Sequence, residues 1–95
     1  MDARIINQRT AAHFRESLAC SKFRHFKGGE YIVVDVAIHS ETAEPMVIYK
    51  SADNMDFTWA RPLTMFLSEV DRDKYPDATQ QWRFERIYDQ EMTKL

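Results

Sequence analysis

Residues 23–39 read FRHFKGGEYIVVDVAIH, and the role of the Gly-Gly pair in that stretch decides the fold. Aromatic and β-branched residues alternate with polar ones on both sides of it, which is the period of a strand. Adjacent glycines between two such runs supply positive φ without steric cost and close a hairpin. A phosphate-cradling loop would instead need a longer glycine-rich segment ending in Lys-Ser or Lys-Thr, with a helix after it. A strand follows here. The stretch is read as a strand over 23–26, a turn over 27–29 and a second strand over 30–39. Anion binding at the turn remains the minor alternative, because Lys22, Arg24, His25 and Lys27 place three cations and a histidine within six residues. In the second strand Ile32, Val34, Val36 and Ile38 share one side and are assigned to the core. Tyr31, Val33, Asp35, Ala37 and His39 form a mixed face on the other.

Downstream, a polar connection over 40–45 leads to a third strand at 46–50, and a loop at 51–56 to a fourth strand at 57–61. Pro62 opens a helical turn carrying Leu63, Phe66 and Leu67. A charged surface loop over 71–81, broken by Pro76, precedes a fifth strand at 82–88, and the tail after Asp89 is read as exposed or a short helix. Upstream, residues 2–20 contain no glycine or proline and read as a helix, with Asp2 as its cap and Ile6, Thr10, Phe14 and Leu18 on one face. That helix docks on the remainder, joins two copies through Ile6, Phe14 and Leu18, or is a partly frayed arm. The expected fold is mainly β: a small SH3-like antiparallel β-barrel of about five strands over 22–95, with an amino-terminal α-helix over 1–21. A helix packed on an open sheet is the competing architecture.

A chain of 95 residues forms one domain with one core, burying about 60–65% of its unfolded surface. An apolar content of 44% with two glycines and three prolines excludes a linker or low-complexity protein. Thirteen basic and fifteen acidic residues give a net charge of −2, so no global field gathers nucleic acid or anionic lipid. The apolar run Ile32-Val33-Val34 is far below the ~20 residues of a membrane span, and the first twenty residues show no signal-peptide core. One cysteine, Cys20, allows no internal disulfide, and a cytoplasmic location is expected. His13, His25 and His39 lack the spacings of zinc sites, so neither metal nor cofactor is expected.

Strand parity gathers the residues that could carry function. Tyr31 and His39 project from the mixed side of the second strand, Val47 and Tyr49 share a side of the third, and Phe57, Trp59 and Arg61 share a side of the fourth. Antiparallel neighbours would bring Tyr49, Trp59 and Arg61 together, a stacking and ion-pairing surface suited to a peptide, a nucleotide base or a small anion. The same rings would equally serve as a second core layer under the amino-terminal helix, and parity alone leaves both readings standing.

With these segments placed, the chain resembles a mainly bacterial family, the domain of unknown function sixteen-fifty-three. The resemblance rests on His25-Phe26-Lys27-Gly28, Tyr31, Ala37 with His39-Ser40-Glu41-Thr42, Val47 with Tyr49, Trp59 with Arg61-Pro62, Met65-Phe66 and Arg83-Phe84, and covers residues 23–88. It implies a small SH3-like barrel and no assigned activity. The amino-terminal helix lies outside the usual domain, and Trp82 stands where a proline commonly precedes Arg-Phe. Many matched residues are polar or aromatic side chains that a core does not require. The expected site is therefore a binding pocket or groove built from His25, Lys27, Tyr31, His39, Glu41, Tyr49, Trp59 and Arg61. Its partner would be a protein, a peptide or a small anionic ligand, with nucleic acid disfavoured by the net charge. The rival reading is an enzyme in which His25 or His39 acts as general base with Glu41 orienting it. A structural adaptor joined through the helix is the third.

Overall fold

The computed structural model describes residues 3–88, so the Asp2 cap and the tail after Asp89 lie outside the described residues. Helix α1 (Ala3–Leu18) leads into strands β1 (Lys22–His25), β2 (Glu30–Ile38), β3 (Pro45–Ser51) and β4 (Thr58–Pro62). The short helix α2 (Leu63–Phe66) and strand β5 (Phe84–Ile87) follow. All pairings are antiparallel, and the sheet runs β4-β3-β2-β1-β5, so β2 is central, β1 lies between β2 and β5, and the last two strands are edges. The five antiparallel strands, the helical turn before the last and the amino-terminal helix are those the sequence predicts.

Gly28 and Gly29 adopt φ of +103° and +86°, and the His25 carbonyl accepts the Gly28 N–H at 2.8 Å. The pair turns the chain. A Cβ at Gly29 would meet the Tyr31 ring at an ordinary contact distance of 3.5 Å, so it is the positive φ and not a lack of space that calls for glycine there.

The alternation expected in β2 breaks at its middle. Val33 faces Tyr49 and Asp35 faces Ile48 on β3, which leaves Val34 as the extra residue of a β-bulge. Val33 and Val36 are buried at 1% and 0% exposure while Val34 is 46% exposed. Val34 is thus not a core residue, and Val33 is. The inner face is made by Tyr31 and Val33 before the bulge and by Val36 and Ile38 after it. Helix α1 fixes this kink: Arg15 Nε donates to Asp35 Oδ1 at 2.7 Å, and its Nη2 donates to the Val36 carbonyl.

Helix α1 packs on β2 and β3 through Asn7, Ala11, Phe14 and Leu18 rather than through Ile6 and Thr10. The small Ala11 allows close approach to the sheet, and Asn7 Nδ2 donates to the Ala43 carbonyl at 2.8 Å. Ile5 and Ile6 are left outward, and Leu18, proposed from sequence as part of a dimer face, is consumed by the chain's own core. The core centres on Phe66 of α2, which stacks on Phe84 at 4.2 Å with a 10° interplanar angle and meets Phe23 edge-on at 5.2 Å. Residues 71–81, read from sequence as a surface loop, are tied down by Arg72, which donates to the carbonyls of Ala78 and Gln80. No helix among the described residues is long and apolar enough to cross a membrane.

The bulge separates Val33, Val34 and Val36 energetically. Val33→Ala and Val36→Ala are each expected to lower the unfolding free energy by about 2 kcal/mol, and Val34→Ala by less than about 0.5 kcal/mol. Urea titration of the three variants checks this, and a larger loss for Val34→Ala would contradict the register.

Candidate functional site

Five of the eight residues expected at the site converge. His25 of β1, Tyr31 of β2, Tyr49 of β3, Trp59 and Arg61 of β4 and Phe84 of β5 line a pocket of about 190 Å3, so every strand of the sheet contributes. Register places them: Tyr49 pairs with Trp59, Val47 with Arg61, and His25 with Phe84. No residue of α1 lines the pocket, so the helix does not cover these rings. Phe84 was missing from the expected set. The signal for it was the Arg83-Phe84 pair, but placing that pair beside His25 requires knowing that β5 joins the β1 edge.

The floor is Tyr49, 5% exposed, in edge-on contact with Tyr31 and Phe84, both at centroid distances of 5.5 Å. Trp59 is half exposed at the mouth. Part-buried Arg61 crosses between them: its Nε donates to Tyr49 Oη at 3.2 Å and its Cζ lies 5.6 Å from the Phe84 ring centroid. These contacts orient the guanidinium without neutralising it. Among the described residues no carboxylate pairs with Arg61.

His25 is sandwiched by Phe84 at 4.8 Å and Phe26 at 4.7 Å. Its Nδ1 accepts the Lys27 backbone N–H at 3.1 Å, so the neutral ring carries its proton on Nε2. Burial, then the charges of Arg61, Arg83 and Lys27, push its pKa from 6.5 down to about 4. At neutral pH it is an uncharged hydrogen-bonding group in a cationic field and a weak base.

The other three expected residues lie elsewhere. The Lys27 side chain turns to the far side of the β1–β2 turn, over the Tyr75 ring. His39 and Glu41 line a different hollow with Arg4 and Gln8 of α1. There His39 Nδ1 accepts the backbone N–H groups of Glu41 and Thr42 at 3.1 and 3.2 Å. That nitrogen caps a turn, so the Glu41 carboxylate cannot orient the ring through it. Cys20 is exposed and in a left-handed conformation just after α1. Among the described residues no group of three or more His, Cys, Asp and Glu is arranged to hold a metal ion.

A family model described as a protein of unknown function, DUF1653, matches residues 21–86. No curated protein and no solved structure matches the chain.

The depressed histidine has a pH consequence. The unfolded chain protonates His25 near 6.5 and the folded chain only near 4, so within that window the unfolded state holds the extra proton. Stability therefore falls as pH drops from about 6.5 to about 4 and this contribution levels off below. Denaturant titrations across that window should show a shallower slope for His25→Gln than for the wild type; identical slopes would assign the effect to other groups.

Proposed function

Because the chain belongs to the DUF1653 family, and the matched segment holds all six pocket residues, we propose that it is a small binding module for an anionic ligand. The acidic group of the ligand sits at Arg61, and a planar or apolar portion lies against Tyr31, Trp59 and Phe84. The observation that carries this reading is the part-buried Arg61 guanidinium, oriented by Tyr49 and Phe84 and matched by no carboxylate among the described residues. A partly desolvated cation gains most from a charge-assisted, bidentate acceptor. Neutral His25 adds an Nε2–H donor to the same cavity.

The same field argues against cationic ligands. Arg61, Arg83 and Lys27 all disfavour the charged form of His25, and they would equally repel an ammonium group offered to the aromatic walls. The enzyme reading has less support, since His25 is a weak base and His39 is engaged by backbone donors. A cytoplasmic location accords with the single exposed thiol of Cys20. Self-association through the amino-terminal helix would have to use the outward Ile5 and Ile6 rather than the buried Leu18.

Amide and side-chain NMR titration of the labelled protein with nucleoside monophosphates, aryl carboxylates, anionic peptides and spermidine tests the reading. Shifts should cluster at Trp59, Arg61 and His25 for anions and be absent for spermidine, and the bound anion should raise the His25 pKa by offsetting Arg61. Arg61→Ala should remain folded, with a thermal midpoint lowered by loss of the Tyr49 and Phe84 contacts, and should weaken binding by about tenfold or more, the worth of a charge-assisted hydrogen bond. Anion binding that is indifferent to Arg61→Ala would refute the assignment.

A further inference from the structure

A second concavity lies on the other side of the β1–β2 turn. It measures about 310 Å3 and is walled by Phe26, Lys27, Lys74, Tyr75 and Pro76, with Asp77 and Ala78 completing it. Two ammonium groups converge on one ring there: Lys27 Nζ is 4.7 Å and Lys74 Nζ 5.6 Å from the Tyr75 centroid. No carboxylate among the described residues, Asp77 included, pairs with either lysine. The segment that presents Lys74 and Tyr75 is held in place, with the Tyr75 N–H on the Asp71 carbonyl at 2.8 Å and Arg72 on the carbonyls of Ala78 and Gln80.

Cleft and pocket share no lining residue, but three ring contacts link their walls. Phe84 meets His25 at 4.8 Å, His25 meets Phe26 at 4.7 Å, and Phe26 meets Tyr75 at 4.9 Å. Cations stand at both ends of this ladder, Arg61 at one and Lys27 with Lys74 at the other. Half-exposed Trp59 and part-exposed Tyr75 offer flat rings beside them. Cations that track a backbone, next to rings on which bases stack, are what a single strand of nucleic acid requires. A duplex keeps its bases stacked on each other and would leave such rings unused. The net charge of −2 supplies no global attraction, but folding brings Lys27 and Lys74, far apart in the chain, to one ring.

We propose that the Lys27–Lys74–Tyr75 cleft is a second phosphate subsite, and that with the Arg61 pocket it binds single-stranded nucleic acid. Phosphates of one strand lie at Arg61 and at Lys27 with Lys74, and bases lie against Trp59 and Tyr75. This rests on the pocket reading above and adds to it a requirement for more than one nucleotide.

Fluorescence anisotropy at low salt, comparing thymidine 5′-monophosphate with oligothymidylates of about four to eight nucleotides, tests it. The oligonucleotides should bind at least tenfold more tightly than the monophosphate. Lys27→Ala/Lys74→Ala should lower that ratio by about tenfold, and Lys74→Ala alone should reduce the salt slope by about 0.7, the loss of one phosphate contact to a single strand. Arg61→Ala should weaken both probes. A wild-type ratio near one, or a ratio unchanged in the lysine variants, overturns the proposal while leaving monophosphate binding at Arg61 intact. Tighter binding of a phosphotyrosine peptide with the same lysine dependence overturns it in favour of a protein partner. Failure of both nucleotide probes, with Arg61-dependent binding of another anion, also overturns it and spares the pocket reading.

Discussion

The bulge at Val34 is the constraint on which the rest of the structure depends. Side chains alternate along a strand, so one inserted residue exchanges the two faces beyond it. Here the exchange lets Tyr31 and Val33 on one side, and Val36 and Ile38 on the other, all turn inward. A regular β2 would have sent one of these groups to solvent and left α1 without a continuous apolar surface to pack on. The helix in turn secures the bulge: Arg15 binds the Asp35 carboxylate and the Val36 carbonyl, so the kink is anchored from outside the sheet. Both charges of that pair are about half exposed, and its value lies more in placing α1 than in raw stability.

On the inner face of the sheet lies Phe66, delivered by the four-residue helix after Pro62 and stacked on Phe84. This places the last strand beside the first and brings the Phe84 ring next to His25, Tyr31 and Tyr49. The pocket is thus the rim of the core, where aromatic packing gives way to Arg61. Its electrostatics follow from the same placement. A histidine pressed between two rings loses hydration, and the nearby guanidinium groups add repulsion, so the ring stays neutral and the site's positive charge resides on the arginine. An anion fits that arrangement better than a cation or a proton does.

The site shows which sequence inferences survive folding. Parity correctly joined Tyr49, Trp59 and Arg61, because β3 and β4 pair without irregularity. It failed for Val33 and Val34, because nothing in a run of β-branched residues marks where an extra residue sits. Lys27 and His39 were grouped with the pocket as members of matched segments, yet one turns away with its hairpin and the other closes the β2–β3 turn. Phe84 went unrecognised since its partner strand is some sixty residues away, at the other end of the sheet's strand path.

The sequence by itself determined the elements: a glycine-free amino-terminal helix, a Gly-Gly hairpin, five short strands and a helical turn after Pro62. Those are local matters of backbone preference and hydrophobic period, readable within a window of a few residues. It also supplied the aromatic and cationic side chains in excess of what a core needs. Only the tertiary structure decided the bulge, the face that α1 buries, the freedom of the pocket from that helix, and the placing of Arg61 in one concavity and of Lys27 with Lys74 in a second. These depend on contacts between residues far apart in the chain, which compete for the same buried surface, and no local pattern records the outcome of that competition.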